Sequence, residues 1–516
     1  MHITQSLHAA RQRGPGRVAT IFGGRTRTVA DSVERIARLA GALRSLGVEA
    51  GDRVGIYALN SDRYHELLMA VPWADAVVNP VNVRWSLPEV AYSLVDCQTD
   101  VIVVDDAFAP AVPALRQQAP NLRTVIFCGE GETPEGMIPY EELIASASEV
   151  DDARRGGDAL YGVFYTGGTT GSPKGVMLSH QACLVSAMGS LVTADVLSRA
   201  GVLLHAAPMF HLADIAAWNI GNLTGSTHVM VPSFTPAGVL AAIREHGVTD
   251  TLLVPTMIQL LVDSPEAAES DLSSLARVMY GASPISETVL RKARAILPNA
   301  RFTQAYGMTE LAPIATLLTA EDHDNPALTR SCGRPAVHAE VRVVDFDDVE
   351  LPLGQVGEIV VRGDHVMTGY WNKPEETSAA LRGGWMHTGD AGYLDADGYL
   401  FVVDRLKDMV VTGGENVYTA EVENALSRHP AVAQVAVIGV PDENWGERVH
   451  AVVVPVPGAT VDPGELREFC RGHIANYKLP RSVEFVEALP VSGAGKILKR
   501  ELRKRHWADT DRGVGG

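Results

Sequence analysis

The chain has 516 residues, 46% hydrophobic and 21% charged, the balance of an ordinary globular protein long enough for more than one domain. Its 62 acidic residues outweigh 44 Lys and Arg, giving a net charge of −18. That argues against a general binder of nucleic acid or anionic membrane, so an anionic substrate needs locally placed cations. Cys97, Cys128, Cys183, Cys332 and Cys470 are scattered and form no CxxC pair, which disfavours a disulfide framework or a zinc site and suits a reducing cytoplasm.

The opening stretch MHITQSLHAARQRGPGR lacks the apolar centre of a secretory signal, and no apolar run approaches the ~18 residues of a membrane span. A cytoplasmic protein is expected, and composition leaves peripheral membrane contact open. DSVERIARLAGALRSLG (31–47) has helical apolar spacing, with Asp31 as N-cap candidate and Gly47 as terminator. RVGIYAL (53–59), DVIVVDD (100–106) and TVIFCG (124–129) read as buried strands. ALYGVFYT (159–166) is strand-like and QACLVSAMGSLV (181–192) helix-like, with a Gly-rich turn between them. Further on, PAGVLAAIREHG and TMIQLLVDSP read as helices, DTLLVP and RVMYGAS as strands. Such alternation predicts βα units around a largely parallel sheet. After about Ser331 the texture changes: EVRVVDFDDVELPLGQVGEIVVRGD alternates apolar and polar residues between Gly and Pro turns, as antiparallel strands do. Smaller helix and strand patterns resume from Glu421, so a second domain of roughly 110 residues is expected. The fold class is therefore α/β: a large domain, 1–406, of βα units with mixed sheets and a β-rich subdomain, then a small α+β domain, 407–516.

The turn YTGGTTGSPKGVMLSH (165–180) concentrates glycine, threonine and one lysine. Backbone N–H groups in such a loop can hold phosphate oxygens, with Thr166, Thr169 and Thr170 adding hydroxyls and Lys174 a positive charge. It is not a Walker A loop, because Lys174 precedes its glycine and no Ser or Thr follows. On its own the stretch reads equally as an anion cradle or as a structural turn.

The loop resembles the signature of the adenylate-forming superfamily, which includes acyl-CoA synthetases, aryl-CoA ligases, luciferases and peptide-synthetase adenylation domains. Companion motifs of that superfamily follow in its order: HAAPMFHLAD (205–214), YGASPIS (280–286), QAYGMTE (304–310), WMHTGD (385–390), VDRLKDMVVTGGENVYTAEVE (403–423) and PVSGAGKILKR (490–500). Together they cover nearly the whole chain and look most like bacterial fatty-acyl-CoA ligases.

The resemblance implies a two-step reaction in which a carboxylate attacks the α-phosphate of ATP, and a thiol then displaces AMP. Thr166, Gly167, Gly168, Thr169, Thr170 and Lys174 would cradle the β- and γ-phosphates. Gly281, Ala282, Ser283, Gln304, Ala305, Tyr306, Gly307, Met308 and Thr309 would enclose adenine, with Tyr306 against its face. Asp390, assisted by Arg405, would hold the ribose hydroxyls. Glu310 and Thr166 would hold Mg2+, and Lys496 would bridge the carboxylate and α-phosphate as the adenylation lysine. His211 would act near the carboxylate, in an acyl pocket walled by His211, Trp218, Met308, Leu311 and Pro313. Lys407 would be the hinge of a mobile small domain, and Gly413 and Gly414 would admit the pantetheine arm of coenzyme A.

Plainer readings stand beside these. Glu310 after Thr309 would also suit a helix N-terminus, Asp390 in TGDAG a turn, and Arg405 a surface ion pair with Asp404 or Asp408. Lys499, Arg500, Arg503, Lys504 and Arg505 read as a solvated basic face. Gly167 stands where many superfamily members carry Ser, and Val491-Ser492 where many carry a basic residue and Thr or Asn. The pocket set is mostly apolar and offers no cation for a second carboxylate, which predicts a monocarboxylate with an apolar tail, fatty or aromatic. ATP, Mg2+ and coenzyme A are the expected small-molecule partners, without nucleic acid, in a monomer or homodimer.

Overall fold

A computed structural model describes the chain except for residues 167–172, 284, 406–407, 413–414, 443, 492–496 and 508–516. The chain divides into two compact units, one of Met1–Val341 with Val361–Met386, the other of Arg342–Val360 with His387–Gly516. The position expected for the domain boundary, 406/407, falls inside the second unit.

The first unit holds an eight-stranded and a nine-stranded sheet. The Val- and Ile-rich runs form buried strands as expected: Arg53–Tyr57 and Thr99–Val104 pair in parallel, and Thr124–Phe127 joins them. The helix expected over 31–47 spans Val29–Ser45, and its cap is Thr28. The Thr28 hydroxyl accepts from the Asp31 N–H at 3.1 Å while the Asp31 carboxylate accepts from the Thr28 N–H at 2.9 Å. Asp31 is thus the third-residue partner of a capping box, not the cap itself.

A second correction concerns the Gly-rich stretch. β1 (Leu160–Thr166) is followed by an antiparallel partner, β2 (Lys174–Ser179), and only then by helix α1 (His180–Thr193). Val176 and Leu178 of β2 are fully buried, and their alternation with polar or half-buried neighbours is a strand period that a short GVMLS run conceals before a helix. The strands flanking the stretch are therefore antiparallel partners, and Lys174 opens a strand and not a helix.

In the nine-stranded sheet, β3 (Val202–His205), Asp250–Leu253, β4 (Arg277–Gly281) and β5 (Arg301–Gly307) lie side by side in parallel. Helix α2 (Leu212–Thr224) follows β3. Leu203, Leu204, Leu253, Val278 and Met279 make this sheet's buried centre, the near-continuous apolar pattern of strands covered on both faces. The short strand β6 (Gly369–Tyr370) closes one edge of the eight-stranded sheet by pairing with β2, Tyr370 opposite Val176.

In the second unit, β7 (Met386–Leu394) and β8 (Leu400–Arg405) pair antiparallel, as the alternating texture predicts. Helix α3 (Thr419–Leu426) follows, then Val432–Asp442 paired antiparallel with β9 (Gly446–Pro455), which in turn pairs in parallel with β10 (Ser482–Phe485). The last helix, α4 (Lys499–Trp507), buries Leu502 with Ala436, Ile438 and Val452.

Candidate active site

The hairpin puts Thr166 directly opposite Lys174, at its mouth. Gly167, Gly168, Thr169 and Thr170 lie outside the described residues. The Lys174 ammonium sits 4.9 Å from the centre of the Tyr370 ring, a cation–π placement. Among the described residues no carboxylate pairs with this ammonium.

Glu310 lies in the first turn of a 3-10 segment, Thr309–Leu311, only three residues long, and not at the N-terminus of an α-helix. Its backbone carbonyl accepts from the Met367 N–H at 2.8 Å. Its carboxylate accepts from the Tyr370 hydroxyl at 2.9 Å, in a buried position. Burial, and then the neighbouring Glu310 charge, hold the Tyr370 phenol far above its ordinary range. Tyr370 therefore stays protonated and donates. One ring thus carries Lys174 over its face and Glu310 at its hydroxyl. Tyr370 was not legible as a site residue, because a tyrosine in TGYWN follows no chemical spacing and only the pairing of β6 with β2 brings it here.

The other expected nucleotide residues gather where parallel strands end, the customary ligand edge of such sheets. Tyr280 is in register with Gln304 and Gly281 with Ala305. A Cβ on Gly281 would stand 2.2 Å from the Ala305 carbonyl oxygen, and one on Gly307 would stand 1.9 Å from that of Pro313. Both glycines are steric requirements. Ala282 adopts φ 66° immediately after β4, with Ser283 next along the chain. The Gln304 side-chain oxygen is buried without a hydrogen-bond partner among the described residues, an open acceptor in the segment expected to meet adenine. Tyr306 and Gly307 complete β5, and Met308 leads in extended conformation into the Glu310 turn.

β3 leads to His211, which stands at the N-cap of α2 in extended conformation and packs its ring 4.2 Å from that of Phe210. Within α2, Trp218 is wholly buried and donates its indole N–H to His65 Nδ1 at 2.8 Å. Beside it, Asp214 Oδ2 meets His205 Nδ1 at 2.7 Å, and His205 Nε2 meets His228 Nδ1 at 2.9 Å. Burial pushes His65 down to about 3 and lowers His228 as well, so both rings stay neutral. The sequence placed His205 and Asp214 in one motif but gave no sign of His65 or His228. Leu311 is fully buried, while Met308 and Pro313 are partly exposed.

In the second unit Asp390 and Arg405 are cross-strand partners on β7 and β8. Arg405 Nε lies 3.1 Å from Asp390 Oδ1, with the carboxylate 8% and the guanidinium 40% exposed. Asp390 is thus a strand residue and not a turn. Arg405 reaches it while Asp404 accepts from the Thr419 hydroxyl at 2.7 Å and Asp408 pairs with Arg503 at 2.6 Å.

The basic face expected around 499–505 is corrected in two places. Lys499 Nζ lies 2.7 Å from Glu423 and donates to the Thr419 hydroxyl at 2.6 Å, and Arg503, one turn on, is buried against Asp408. Lys499 and Arg503 are four residues apart and share the inward face of α4. Acids contributed by other elements turn that face from solvated to paired. Lys496, Lys407, Gly413 and Gly414 lie outside the described residues.

Comparison with known proteins bears on this arrangement. Residues 7–371 match the AMP-binding enzyme family, and residues 421–496 match the AMP-binding enzyme C-terminal domain. A feruloyl-CoA synthase of an Amycolatopsis species is 40% identical over 95% of this chain and 96% of its own. The medium/long-chain-fatty-acid–CoA ligase FadD8 of Mycobacterium tuberculosis is 37% identical over 96% of this chain and 88% of its own. Among solved structures, the amide bond synthetase McbA of Marinactinospora thermotolerans superposes with a TM-score of 0.86 at 33% identity, covering 97% of this chain and 99% of that one.

Proposed function

Because this chain belongs to the AMP-binding enzyme family and is an AMP-forming acyl-CoA synthetase, we propose that it activates an apolar monocarboxylate, a medium- or long-chain fatty acid, as its acyl-adenylate and passes the acyl group to coenzyme A. The observation that carries the reading is the shared Tyr370 ring, with Lys174 over its face and Glu310 at its hydroxyl. A cation with no carboxylate partner among the described residues and a buried carboxylate stand on one ring, next in sequence to a Gly- and Thr-rich stretch, as a polyphosphate and its metal require.

In the first step a carboxylate oxygen attacks the α-phosphorus, the bond to the β-phosphate breaks and pyrophosphate leaves. Two anions must be brought together, so the protein contributes cations and aligned donors rather than a nucleophile. Thr166, Thr169, Thr170 and Lys174 grip the departing phosphates, and the open Gln304 oxygen is a natural acceptor for the adenine amino group. Asp390, oriented by Arg405, accepts from the ribose hydroxyls, and Lys496 neutralises charge between carboxylate and α-phosphate. Glu310 and Thr166 offer the hard oxygen donors that suit Mg2+, which when bound supplies charge neutralisation at the phosphates. In the second step the coenzyme A sulfur attacks the acyl carbon, the acyl–phosphate bond breaks and AMP leaves. Gly413 and Gly414 give the pantetheine arm close backbone approach, with Lys407 the pivot of the change between steps.

The acyl pocket assigned to His211, Trp218, Met308, Leu311 and Pro313 supports an apolar tail. An aromatic acid of the coumarate, ferulate or benzoate type is the second reading, favoured by the 40% identity to a feruloyl-CoA synthase over nearly the full chain. A panel of carboxylic acids assayed for coenzyme A-dependent AMP release tests both. Medium- and long-chain fatty acids should turn over best. Preference for cinnamates would favour the second reading, and activity with acetate alone would overturn the apolar pocket.

A further inference from the structure

Away from the residues discussed so far, β9, β10 and α4 bring two histidines and a glutamate together. His450 is in register with Ser482, and Glu484 follows two residues later on the same face of β10. Helix α4 buries Leu502 with Val452, whose strand partner is Glu484, and His506, one turn beyond Leu502, shares that helix face. The Nε2 atoms of His450 and His506 each lie 3.6 Å from Glu484 Oε2, and the three ligand atoms all lie within 4.8 Å of one another.

We propose that His450, Glu484 and His506 form a binding site for a zinc-class divalent transition metal, which ties the last helix to the sheet. Two imidazoles and one carboxylate are a recurrent three-ligand set for zinc, leaving a fourth position to water. Ligand atoms of a tetrahedral zinc stand about 3.3 Å apart, so the two 3.6 Å separations need little adjustment. The half-exposed His506, at the helix end, can supply the rest. His450 is 5% exposed, and its Nε2 is buried without a hydrogen-bond partner among the described residues. Its other nitrogen, Nδ1, lies 2.7 Å from the Ser482 hydroxyl. With Nδ1–H donated there, Nε2 carries the lone pair and points at Glu484, the orientation that outer hydrogen bonds impose on metal-binding histidines. Arg505, 3.7 Å from Glu484 Oε1, and Arg448, 3.3 Å from the Ser482 hydroxyl, also face the cluster. Their charge weakens metal binding without occupying His450 Nε2.

The test is equilibrium dialysis of the full chain against zinc chloride, with bound metal measured by mass spectrometry, alongside the visible spectrum of the cobalt-loaded protein. His506→Ala and His450→Gln should each lower affinity for one zinc per chain at least tenfold. They should also abolish the tetrahedral cobalt bands, whereas His473→Ala, at an exposed histidine outside the cluster, should change neither. His506→Ala lies at the exposed end of a helix, so a folded variant is available whatever His450→Gln does. Equal zinc binding by wild type and His506→Ala, or cobalt bands that survive in that variant, would overturn the site.

Discussion

Lys174 and Lys499 each stand beside a Gly-rich motif, yet the structure treats them oppositely. Lys174 rests on the face of Tyr370 with no paired carboxylate among the described residues. Lys499 is enclosed, with Glu423 and the Thr419 hydroxyl on its ammonium. A lysine on an aromatic face retains its charge for an incoming anion. One surrounded by acids spends its charge on holding the fold. The same residue type therefore serves ligand and architecture, and what separates the two is the acids that other elements bring.

Substitution at the enclosed lysine should produce the largest effect on stability. Lys499→Met leaves Glu423, only 21% exposed, without its cation, which costs about 3 kcal/mol, and denaturant unfolding of the second unit should show it. Lys174→Met should leave the unfolding midpoint within about 0.5 kcal/mol of wild type while lowering carboxylate-dependent pyrophosphate exchange about tenfold, or ~1.4 kcal/mol of transition-state stabilisation. A Lys174 variant that unfolds early, or a Lys499 variant as stable as wild type, would break the contrast.

The smallest expected effect is a pH dependence. Burial alone would lower the Lys499 value, but Glu423 and Asp404 outweigh it and raise the group above its ordinary 10.5. A raised value means the folded state holds the proton more tightly. The stabilisation is therefore complete below 10.5 and lost as pH rises through the folded value, at up to ~1.4 kcal/mol per pH unit. Wild type should lose stability above about pH 10.5 more steeply than Lys499→Met, and parallel profiles would contradict the pairing.

Much of the fold was legible because buried parallel strands write themselves as Val and Ile runs. The hairpin at the Gly-rich stretch was not, since β2 is only six residues and runs straight into α1 with no turn residue between them. Thr28 was overlooked as a cap because Asp31, three residues on, is an equally good capping residue by type. Gly281 and the run Gln304–Gly307 stand at the ends of parallel strands that the βα pattern anticipates. Tyr370 stands outside that pattern, since its relation to Glu310 and Lys174 exists only through pairing of chain segments nearly two hundred residues apart. Lys499 and Arg503 read as solvated for a related reason: a helix sequence displays its own charges and not the acids on α3 and the residues before it.

If adenylation depends on Lys496 and precedes a separate transfer to coenzyme A, the Lys496→Ala variant separates the two steps most directly. Adenylate formation from ATP and a fatty acid should fall by about two orders of magnitude or more, while the same variant should still convert a synthetic acyl-adenylate and coenzyme A to the thioester and AMP. Unchanged adenylate formation by Lys496→Ala would contradict the account.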